Sequence, residues 1–447
     1  MNNDSRILSL LSPVVSEMEP YEVPTHPASI ELRLTSNEGP RIPEALRRIE
    51  DPDGDLVRRY STGEALQGEI AEQVGVEPQQ VLLTAGGDDA LYRSMRVIAD
   101  PGREVVLPVP TYEMIERAIR LVGATPYRIE WWRRRLPVEE ILEALGPQTA
   151  AVVLVSPNNP TGEAASPAEV ERLLAGLGDR LLVVDQAYWE FAEEDLTPVL
   201  IDRPNVILIR TLSKAFGLAG LRIGIAIGHP QVIEFMRTVG DPYPVAGPSL
   251  AIAYRVFRDT RQWQSRYLAD VRRERREMVE LLADLGQRPM PSEGNFVLSE
   301  FDNPLWVKDG LAGLGVAVRQ LAGQRLESSL RITCPGSSPG WSKLEGGLRA
   351  VLDPQALLFD MDGVLVDVRQ SYRQAIVQTA ASFGVEITPE DIEAAKAAGD
   401  ANNDWQLTWR LVRRSRPEIE FDAVHEAFER LYQGEGEKTG LWQREEL

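Results

Sequence analysis

The sequence is poor in the residues that build disulfides and imidazole metal sites. Its single cysteine, Cys334, cannot form a disulfide within the chain, and this predicts a reducing compartment, the cytoplasm. Its three histidines, His26, His229 and His425, are few and far apart along the chain. A metal site built on histidine is therefore not expected.

Basic residues and long apolar runs are also scarce. Of 447 residues, 48 are Lys or Arg and 68 are Asp or Glu, which gives a formal net charge of -20. Nucleic acid and anionic membrane surfaces attract clustered positive charge, so neither is expected as the main partner. No apolar run is long enough to span a bilayer, and the N-terminus lacks the basic and then apolar pattern of a secretory signal.

Short apolar runs alternate with longer amphipathic stretches between about residues 45 and 255. The runs are residues 81–83, 104–107, 151–155, 181–184 and 206–209. They are rich in leucine and β-branched residues, as strands buried on both faces are. The alternation predicts an α/β fold, with a mostly parallel central sheet and helices on both faces.

The remaining segments predict three further parts. Residues 295–298, 316–318 and 330–333 look like strands of a small α+β domain, and the Pro-rich start looks like an arm that joins it. The predicted divisions are an arm at 1–45, a large domain at 46–255, a small domain at 256–353 and a mostly helical C-terminal module at 354–447.

Polar and glycine residues follow the predicted strands of the large domain. They are Gly86-Gly87-Asp88, Tyr112, Asn159, Asp185 and Ser213-Lys214. In open α/β sheets the ligand crevice lies outside the carboxyl ends of the strands. One site built from several strand ends is therefore expected.

Residues 211–222, TLSKAFGLAGLR, place Lys214 just past a buried strand, with hydroxyls before it and Arg222 eight residues later. Such a lysine can bond covalently to an aldehyde cofactor, while the hydroxyls and the arginine hold a phosphate. The alternative for the lysine alone is a solvated surface charge.

Other residues also have either a ligand-binding or a purely structural interpretation. Asp185 could face a pyridine nitrogen or simply cap a helix. Asn159, in the turn SPNNPTG, and Tyr188 could both donate to a ring oxygen. Gly87 lies at a strand-to-helix junction suited to phosphate, and Tyr112 could stack on a ring or pack in the core.

Together these strings resemble fold-type I pyridoxal-phosphate (PLP) aminotransferases, and most closely the histidinol-phosphate aminotransferase group. The resemblance covers roughly residues 5–352. It also includes the strings at 34–38, 59–60, 110–112, 242–244 and 330–333. It implies that Lys214 binds PLP and moves a proton between the substrate Cα and the cofactor.

The resemblance implies a complete set of cofactor contacts and a homodimer. Asp185 pairs with the ring nitrogen, Asn159 and Tyr188 contact the ring oxygen, and Tyr112 stacks on the ring. The phosphate is surrounded by Gly87, Asp88, Ser213 and Arg222. Tyr60 reaches into the site from a second subunit. The catalytic residues are then Lys214, Asp185 and Tyr188.

For the substrate, the resemblance implies contacts from Tyr21, Asn37, Arg319 and Arg331. The expected reaction converts histidinol phosphate and 2-oxoglutarate into imidazole acetol phosphate and glutamate. Aromatic amino-acid transaminases and PLP-dependent decarboxylases share much of the pattern and stay open as alternatives, and either arginine could be an ordinary rim charge. Gln186 stands where a glutamate is usual, and the string Cys334-Pro335-Gly336 is also unusual; both could alter substrate choice.

The C-terminal module begins with a second motif. Asp360 and Asp362 follow the apolar run 356–359 and could bind Mg²⁺. The string resembles the first motif of haloacid-dehalogenase-like phosphatases, but helices are expected at 372–382, 390–398, 405–413 and 423–432. This predicts a partial module, first motif plus helical cap, without phosphatase activity. The alternative is a phosphatase whose N-terminal region only binds PLP or a sugar phosphate.

Overall fold

The computed structural model describes most of the chain, as two compact units. The described residues are 12–16, 18–20, 29–49, 51–133, 135–259, 261–323, 325–356, 367, 370–397, 403–435 and 439–444. The units are Met1–Pro354 and Gln355–Leu447. Three predicted site residues, Tyr21, Asp360 and Asp362, lie outside the described residues.

The first unit contains two sheets. Its strands are β1 Leu32–Leu34, β2 Val81–Ala85, β3 Glu104–Val109, β4 Thr125–Glu130, β5 Thr149–Val155, β6 Leu181–Asp185, β7 Val206–Thr211, β8 Ile223–Gly228, β9 Arg288–Pro289, β10 Phe296–Glu300, β11 Val316–Gln320 and β12 Ser329–Thr333. The larger sheet has the order β2-β8-β7-β6-β5-β3-β4, and the smaller has the order β1-β11-β12-β10-β9.

Helices connect these strands. They are α1 Pro13–Ser16, α2 Glu44–Arg47, α3 Asp55–Arg58, α4 Glu64–Val74, α5 Gly86–Ile98, α6 Glu113–Leu121, α7 Val138–Glu143, α8 Pro167–Gly176, α9 Thr197–Leu200, α10 Pro230–Thr238, α11 Gly247–Asp259, α12 Arg261–Asp284, α13 Pro304–Gly313 and α14 Ser338–Leu352. Short 3-10 helices span Pro78–Gln80, Trp189–Phe191 and Ala219–Leu221.

The larger sheet is mostly parallel, and strand β8 is antiparallel to both of its neighbours. Alternate residues of its central strands enter two separate apolar cores, one on each face. Leu182 and Val184 pack into one core, and Val183 between them packs into the other. Full burial of each such side chain contributes roughly 1.5–3 kcal/mol. This two-sided burial explains why these strands read as continuous apolar runs.

The eight predicted strands are all present, and the structure adds strands that the apolar runs did not indicate. Strand β4 pairs only with β3 in the sheet order, and all its residues are exposed or half-buried, so it lacks an apolar run. Strand β8, IGIAIG, is fully apolar but broken by glycines. Gly224 within it lies so close to the Gly86 carbonyl that a Cβ atom would collide with it.

The smaller sheet joins segments that are far apart in sequence. Strand β1, from the N-terminal part of the chain, pairs in parallel with β11, and β12 pairs with β10 and β11 in antiparallel register. The segment that follows β1 is thereby held beside the ends of β12. This pairing matters for the site, because residues 35–38 lie in that segment.

The second unit has its own apolar core between helices. They are α15 Tyr372–Ser382, α16 Pro389–Ala397, α17 Asp404–Ser415 and α18 Phe421–Gln433, followed by the 3-10 helix Leu441–Arg444. The core includes Ile376, Leu411 and Phe428. Helix α16 begins with a capping box, since Thr388 Oγ1 accepts from the Asp391 N–H and Asp391 accepts from the Thr388 N–H.

Within the described residues, no helix combines the length and the apolarity that a membrane span requires.

Candidate active site

The carboxyl ends of the central strands converge on one cavity of about 420 Å³. This volume is in the range of small-molecule and cofactor sites. Its wall includes eleven of the predicted site residues: Gly87, Asp88, Tyr112, Asn159, Asp185, Tyr188, Ser213, Lys214, Arg222, Arg319 and Arg331. The sheet topology therefore brings together residues that the sequence separates by more than two hundred positions.

Lys214 lies in the loop between β7 and β8. Its Nζ donates a hydrogen bond to the Ser36 carbonyl at 2.8 Å and lies 5.8 Å from the centre of the Tyr188 ring. Burial lowers the pKa of Lys214 to about 8, and the nearby Arg331 acts in the same direction. A lowered pKa increases the fraction of free amine at neutral pH, and the free amine is the nucleophilic form.

Asp185 ends strand β6 and is only 6% exposed. Its Oδ1 accepts the Ala187 N–H at 2.9 Å, whereas an ionised carboxylate can accept about four hydrogen bonds. Burial raises the pKa of Asp185 to about 7, and Asp88 raises it further, against the hydrogen bond from Ala187. A cation facing this carboxylate would favour its ionised form.

A second group of residues in the cavity wall can hold an anion. Gly87 lies in the first turn of helix α5, where backbone N–H groups are available. Ser213 is buried and its hydroxyl lies 2.8 Å from Thr211 Oγ1. Arg222 is 3.3 Å from Asp88, and a Cβ atom at Gly86 would collide with its guanidinium. Glycine at position 86 thus lets the arginine lie against the helix start.

Asp88 itself is placed differently from a simple phosphate ligand. Its carboxylate accepts hydrogen bonds from the Tyr112 hydroxyl at 3.0 Å and from Arg222 at 3.3 Å. A carboxylate repels a phosphate, so any favourable contact of Asp88 with one would come from its backbone N–H. Its side chain serves to hold Tyr112 and Arg222 at the cavity wall.

Asn159 and Arg331 are bound to each other. Arg331 Nη1 donates to Asn159 Oδ1 at 2.5 Å, and Nη2 donates to the Thr35 carbonyl at 2.7 Å. Because Oδ1 of Asn159 is engaged, its amide nitrogen is the atom left to donate to a ring oxygen. Arg319 lies opposite Arg331 on the neighbouring strand, so two guanidinium groups line the same side of the cavity.

Two predicted site residues lie outside the cavity wall. Asn37 is 1% exposed and donates from Nδ2 to the Tyr188 hydroxyl at 3.0 Å, so it sits behind that tyrosine. Tyr60 is 82% exposed and stacks on Tyr243 with ring centres 4.6 Å apart.

Several participants were not predicted from the sequence. The carbonyls of Thr35 and Ser36 accept from Arg331 and Lys214, and backbone acceptors carry no side-chain pattern that could have revealed them. Arg210 is 5% exposed and donates to Gln186, the residue beside Asp185, at 3.0 Å. The signal that could have revealed Arg210 is its position directly before the hydroxyl string 211–213.

The cavity fits PLP at three points. Asp185 offers a buried acceptor for a protonated ring nitrogen, Lys214 offers an amine with a lowered pKa for the aldehyde, and the start of α5 with Ser213 and Arg222 offers a place for the phosphate. Each group of the cofactor thus meets a protein group of complementary chemistry.

Comparison with known proteins finds similarity to aminotransferases. The family model "Aminotransferase class I and II" matches residues 30–341. Histidinol-phosphate aminotransferase 1 of Nostoc sp. is 34% identical over 309 residues, which are 68% of this chain and 86% of the relative. An aromatic amino acid aminotransferase of Thermobifida fusca is 33% identical over 307 residues, covering 67% of this chain and 85% of that protein.

A solved structure of an aminotransferase is also similar to this chain. Histidinol-phosphate aminotransferase from Sinorhizobium meliloti, in complex with pyridoxal-5'-phosphate, matches with a TM-score of 0.70 and 25% sequence identity. The match covers 78% of this chain and 99% of that chain. This likeness confirms the predicted PLP-dependent transferase fold.

Proposed function

The chain belongs to the aminotransferase class I and II family, and from that premise we propose that it transfers the amino group of histidinol phosphate to 2-oxoglutarate. The products would be imidazole acetol phosphate and glutamate, as in histidine biosynthesis. The chain is a PLP-dependent transaminase. The observation that carries the substrate proposal is the pair of arginines, Arg319 and Arg331, in the same cavity as Lys214.

The protein's residues have distinct tasks in this proposal. PLP, when bound, supplies the electron sink that makes the substrate Cα proton acidic. Lys214 would hold the cofactor, and its freed Nζ would take up that proton and return it. Asp185 would keep the ring nitrogen protonated, and Asn159 and Tyr188 would orient the ring through its oxygen.

Charge supports an anionic substrate. The chain as a whole carries a net charge of -20, yet Arg222, Arg319 and Arg331 all line this cavity. Histidinol phosphate carries a phosphate and 2-oxoglutarate carries two carboxylates, so both substrates present anions that a guanidinium can bind in bidentate fashion. The same arginines can therefore serve both halves of the reaction.

The Thermobifida fusca relative favours one alternative, an aromatic amino-acid transaminase. Turnover of histidinol phosphate, phenylalanine and tyrosine, each with 2-oxoglutarate, separates the two. We expect the largest kcat/KM for histidinol phosphate, with glutamate formed in equal amount. A larger value for either aromatic amino acid would overturn the substrate proposal, and release of carbon dioxide in place of glutamate would indicate a decarboxylase.

Replacing Arg331 by lysine is expected to weaken substrate binding while leaving the cofactor bound. Lysine keeps the charge, but its single nitrogen cannot reproduce the two separate guanidinium nitrogens that donate to Asn159 and Thr35, nor bind an anion in bidentate fashion. We expect kcat/KM for histidinol phosphate to fall about 10- to 100-fold, equivalent to about 1.4–2.8 kcal/mol. Arg349→Lys is the matched control, because Arg349 pairs with Glu345 at the surface of α14. Equal losses in both variants would contradict the assignment.

A homodimer is part of the same proposal. Tyr60 and Tyr243 form a stacked pair that is exposed on a single chain, and Tyr60 lies outside its own cavity. In a dimer, Tyr60 could donate to the phosphate of PLP in the partner's cavity. We expect light scattering to give about twice the mass of one chain.

The matching variant is Tyr60→Ala. Loss of one hydrogen bond to a phosphate should weaken PLP binding about tenfold. Tyr127→Ala removes another exposed tyrosine, from strand β4, and is expected to leave PLP binding unchanged. A monomeric protein in which Tyr60→Ala binds PLP as tightly as the wild type would refute the shared site.

We also propose that residues 354–447 form a partial haloacid-dehalogenase-like module without phosphatase activity, and that the protein works in the cytoplasm. From residue 370 onward the described residues of this unit form helices and connecting turns. An enzyme of that class would need further strands to carry its later motifs. Hydrolysis of p-nitrophenyl phosphate that depends on Mg²⁺ and disappears in Asp360→Asn would show that the module is active.

A further inference from the structure

Asn37 joins three parts of the first unit. It follows strand β1, is 1% exposed and has a left-handed backbone with φ of 53°. Its backbone N–H donates to Thr333 Oγ1 at 3.2 Å, and its carbonyl accepts from Asn295 Nδ2 at 3.2 Å. These contacts hold the backbone of Asn37 from both sides.

The side-chain amide of Asn37 contacts both Thr333 and Tyr188. Its Oδ1 lies 2.9 Å from the Thr333 hydroxyl, and its Nδ2 donates to the Tyr188 hydroxyl at 3.0 Å. Thr333 belongs to strand β12, two residues beyond Arg331. The amide therefore links the strand that carries Arg331 to the tyrosine at the cavity wall.

The direction of this hydrogen bond has a chemical consequence. A phenol oxygen that accepts an N–H still has its own proton to donate, and that donation is strengthened when the oxygen is already an acceptor. Tyr188 is 4% exposed, and burial raises the pKa of its hydroxyl, so it stays protonated near neutral pH. With its oxygen engaged by Asn37, the proton is available to an acceptor in the cavity.

We propose that Asn37 is a positioning residue, which holds the Tyr188 hydroxyl as a hydrogen-bond donor to the ring oxygen of PLP. This inference rests on the proposed function, because it needs PLP in the cavity. It assigns Asn37 to the cofactor, through Tyr188, and not to contact with the substrate. Loss of Asn37 should therefore alter the bound cofactor even when no substrate is present.

The test is a pH titration of the absorbance of bound PLP in the holoenzyme without substrate. A donor to the ring oxygen stabilises its negative charge, so loss of the donor raises the pH midpoint. Tyr188→Phe should raise it by about 1–2 pH units, the equivalent of one hydrogen bond to a charged group. Asn37→Gly should raise it by a part of that shift, since glycine accepts the positive φ without strain.

The double variant tests whether Asn37 acts on the cofactor through Tyr188. In a Tyr188→Phe background, Asn37→Gly should produce no additional shift, because its proposed action passes through the tyrosine hydroxyl. Asn205→Gly is the matched control, since Asn205 donates to the Arg180 carbonyl away from the cavity wall. Its midpoint should equal that of the wild type.

Three results would overturn the proposal: an unchanged midpoint in Asn37→Gly, a full additional shift in the double variant, or a wild type without a titrating PLP band. If Asn37→Gly does not fold, Asn37→Asp keeps the shape but has no N–H to donate, and its midpoint should also rise. A shift in these variants without turnover of histidinol phosphate would leave this inference standing and refute the substrate proposal alone.

Discussion

Lys214→Ala is expected to abolish transamination, with kcat at least about a thousandfold below that of the wild type. Lys214 combines two tasks, because it would hold the cofactor and move the proton. Its position beside Tyr188 and its pKa of about 8 suit both. The measurement is glutamate formation from 2-oxoglutarate at saturating PLP, together with the absorbance of the bound cofactor.

Two variants make this result specific. Lys214→Arg keeps a positive charge but cannot form the covalent bond, so it should be as inactive as alanine. Lys343→Ala removes a lysine that pairs with Glu31 at 2.8 Å and does not line the cavity, and it should retain wild-type activity. If Lys214→Ala kept a tenth of the wild-type rate, the lysine would not be the essential base.

Asp185→Asn is expected to lower kcat about 10²- to 10³-fold while changing KM much less. The amide has nearly the same shape as the carboxylate, but it carries no charge to keep a ring nitrogen protonated. Asp179→Asn, at an exposed position before β6, is the matched control and should have wild-type kcat. An equal effect of both variants would assign Asp185 a purely structural role.

Asp185 also predicts how the stability of the protein without PLP depends on pH. The pKa of Asp185 is about 7 in the folded protein and 3.8 without burial. Between these values the folded state binds more protons than the unfolded state, so stability falls as pH rises from about 4 to 7. The full effect is on the order of 4 kcal/mol at pH 8 and nearly absent at pH 4.

Urea unfolding of the protein without PLP, at pH 4 and pH 8, checks this sign. Asp185→Asn lacks the titrating group, so its stability relative to the wild type should increase as pH rises. Other titrating groups cancel in this difference. A variant that loses stability relative to the wild type at pH 8 would contradict the burial argument.

Much of the fold could be predicted from the sequence, because buried parallel strands leave continuous apolar runs. The runs at 151–155 and 181–184 became strands β5 and β6 with only small extensions. Strand β4 could not be found in this way, since an exposed edge strand has no apolar face to reveal it. In β8, Gly224 reflects a close approach to Gly86, which depends on the tertiary structure.

The site shows the same division. Lys214, Asp185 and Asn159 lie at the carboxyl ends of strands or a few residues beyond them, so the rule that ligands bind at carboxyl ends was sufficient to group them. Asn37 could not be placed from its motif alone, because its burial behind Tyr188 depends on the pairing of β1 with β11. The backbone acceptors at Thr35 and Ser36 depend on the same pairing.

The most direct test of the central claim is the absorbance spectrum of the PLP-loaded protein during addition of histidinol phosphate. The account predicts a cofactor band near the visible edge that is absent in Lys214→Ala, disappears with histidinol phosphate and returns with 2-oxoglutarate. A band that depends on Lys214 but is unchanged by histidinol phosphate would contradict the proposed substrate, and failure to form a band would contradict the assignment of the cavity to PLP.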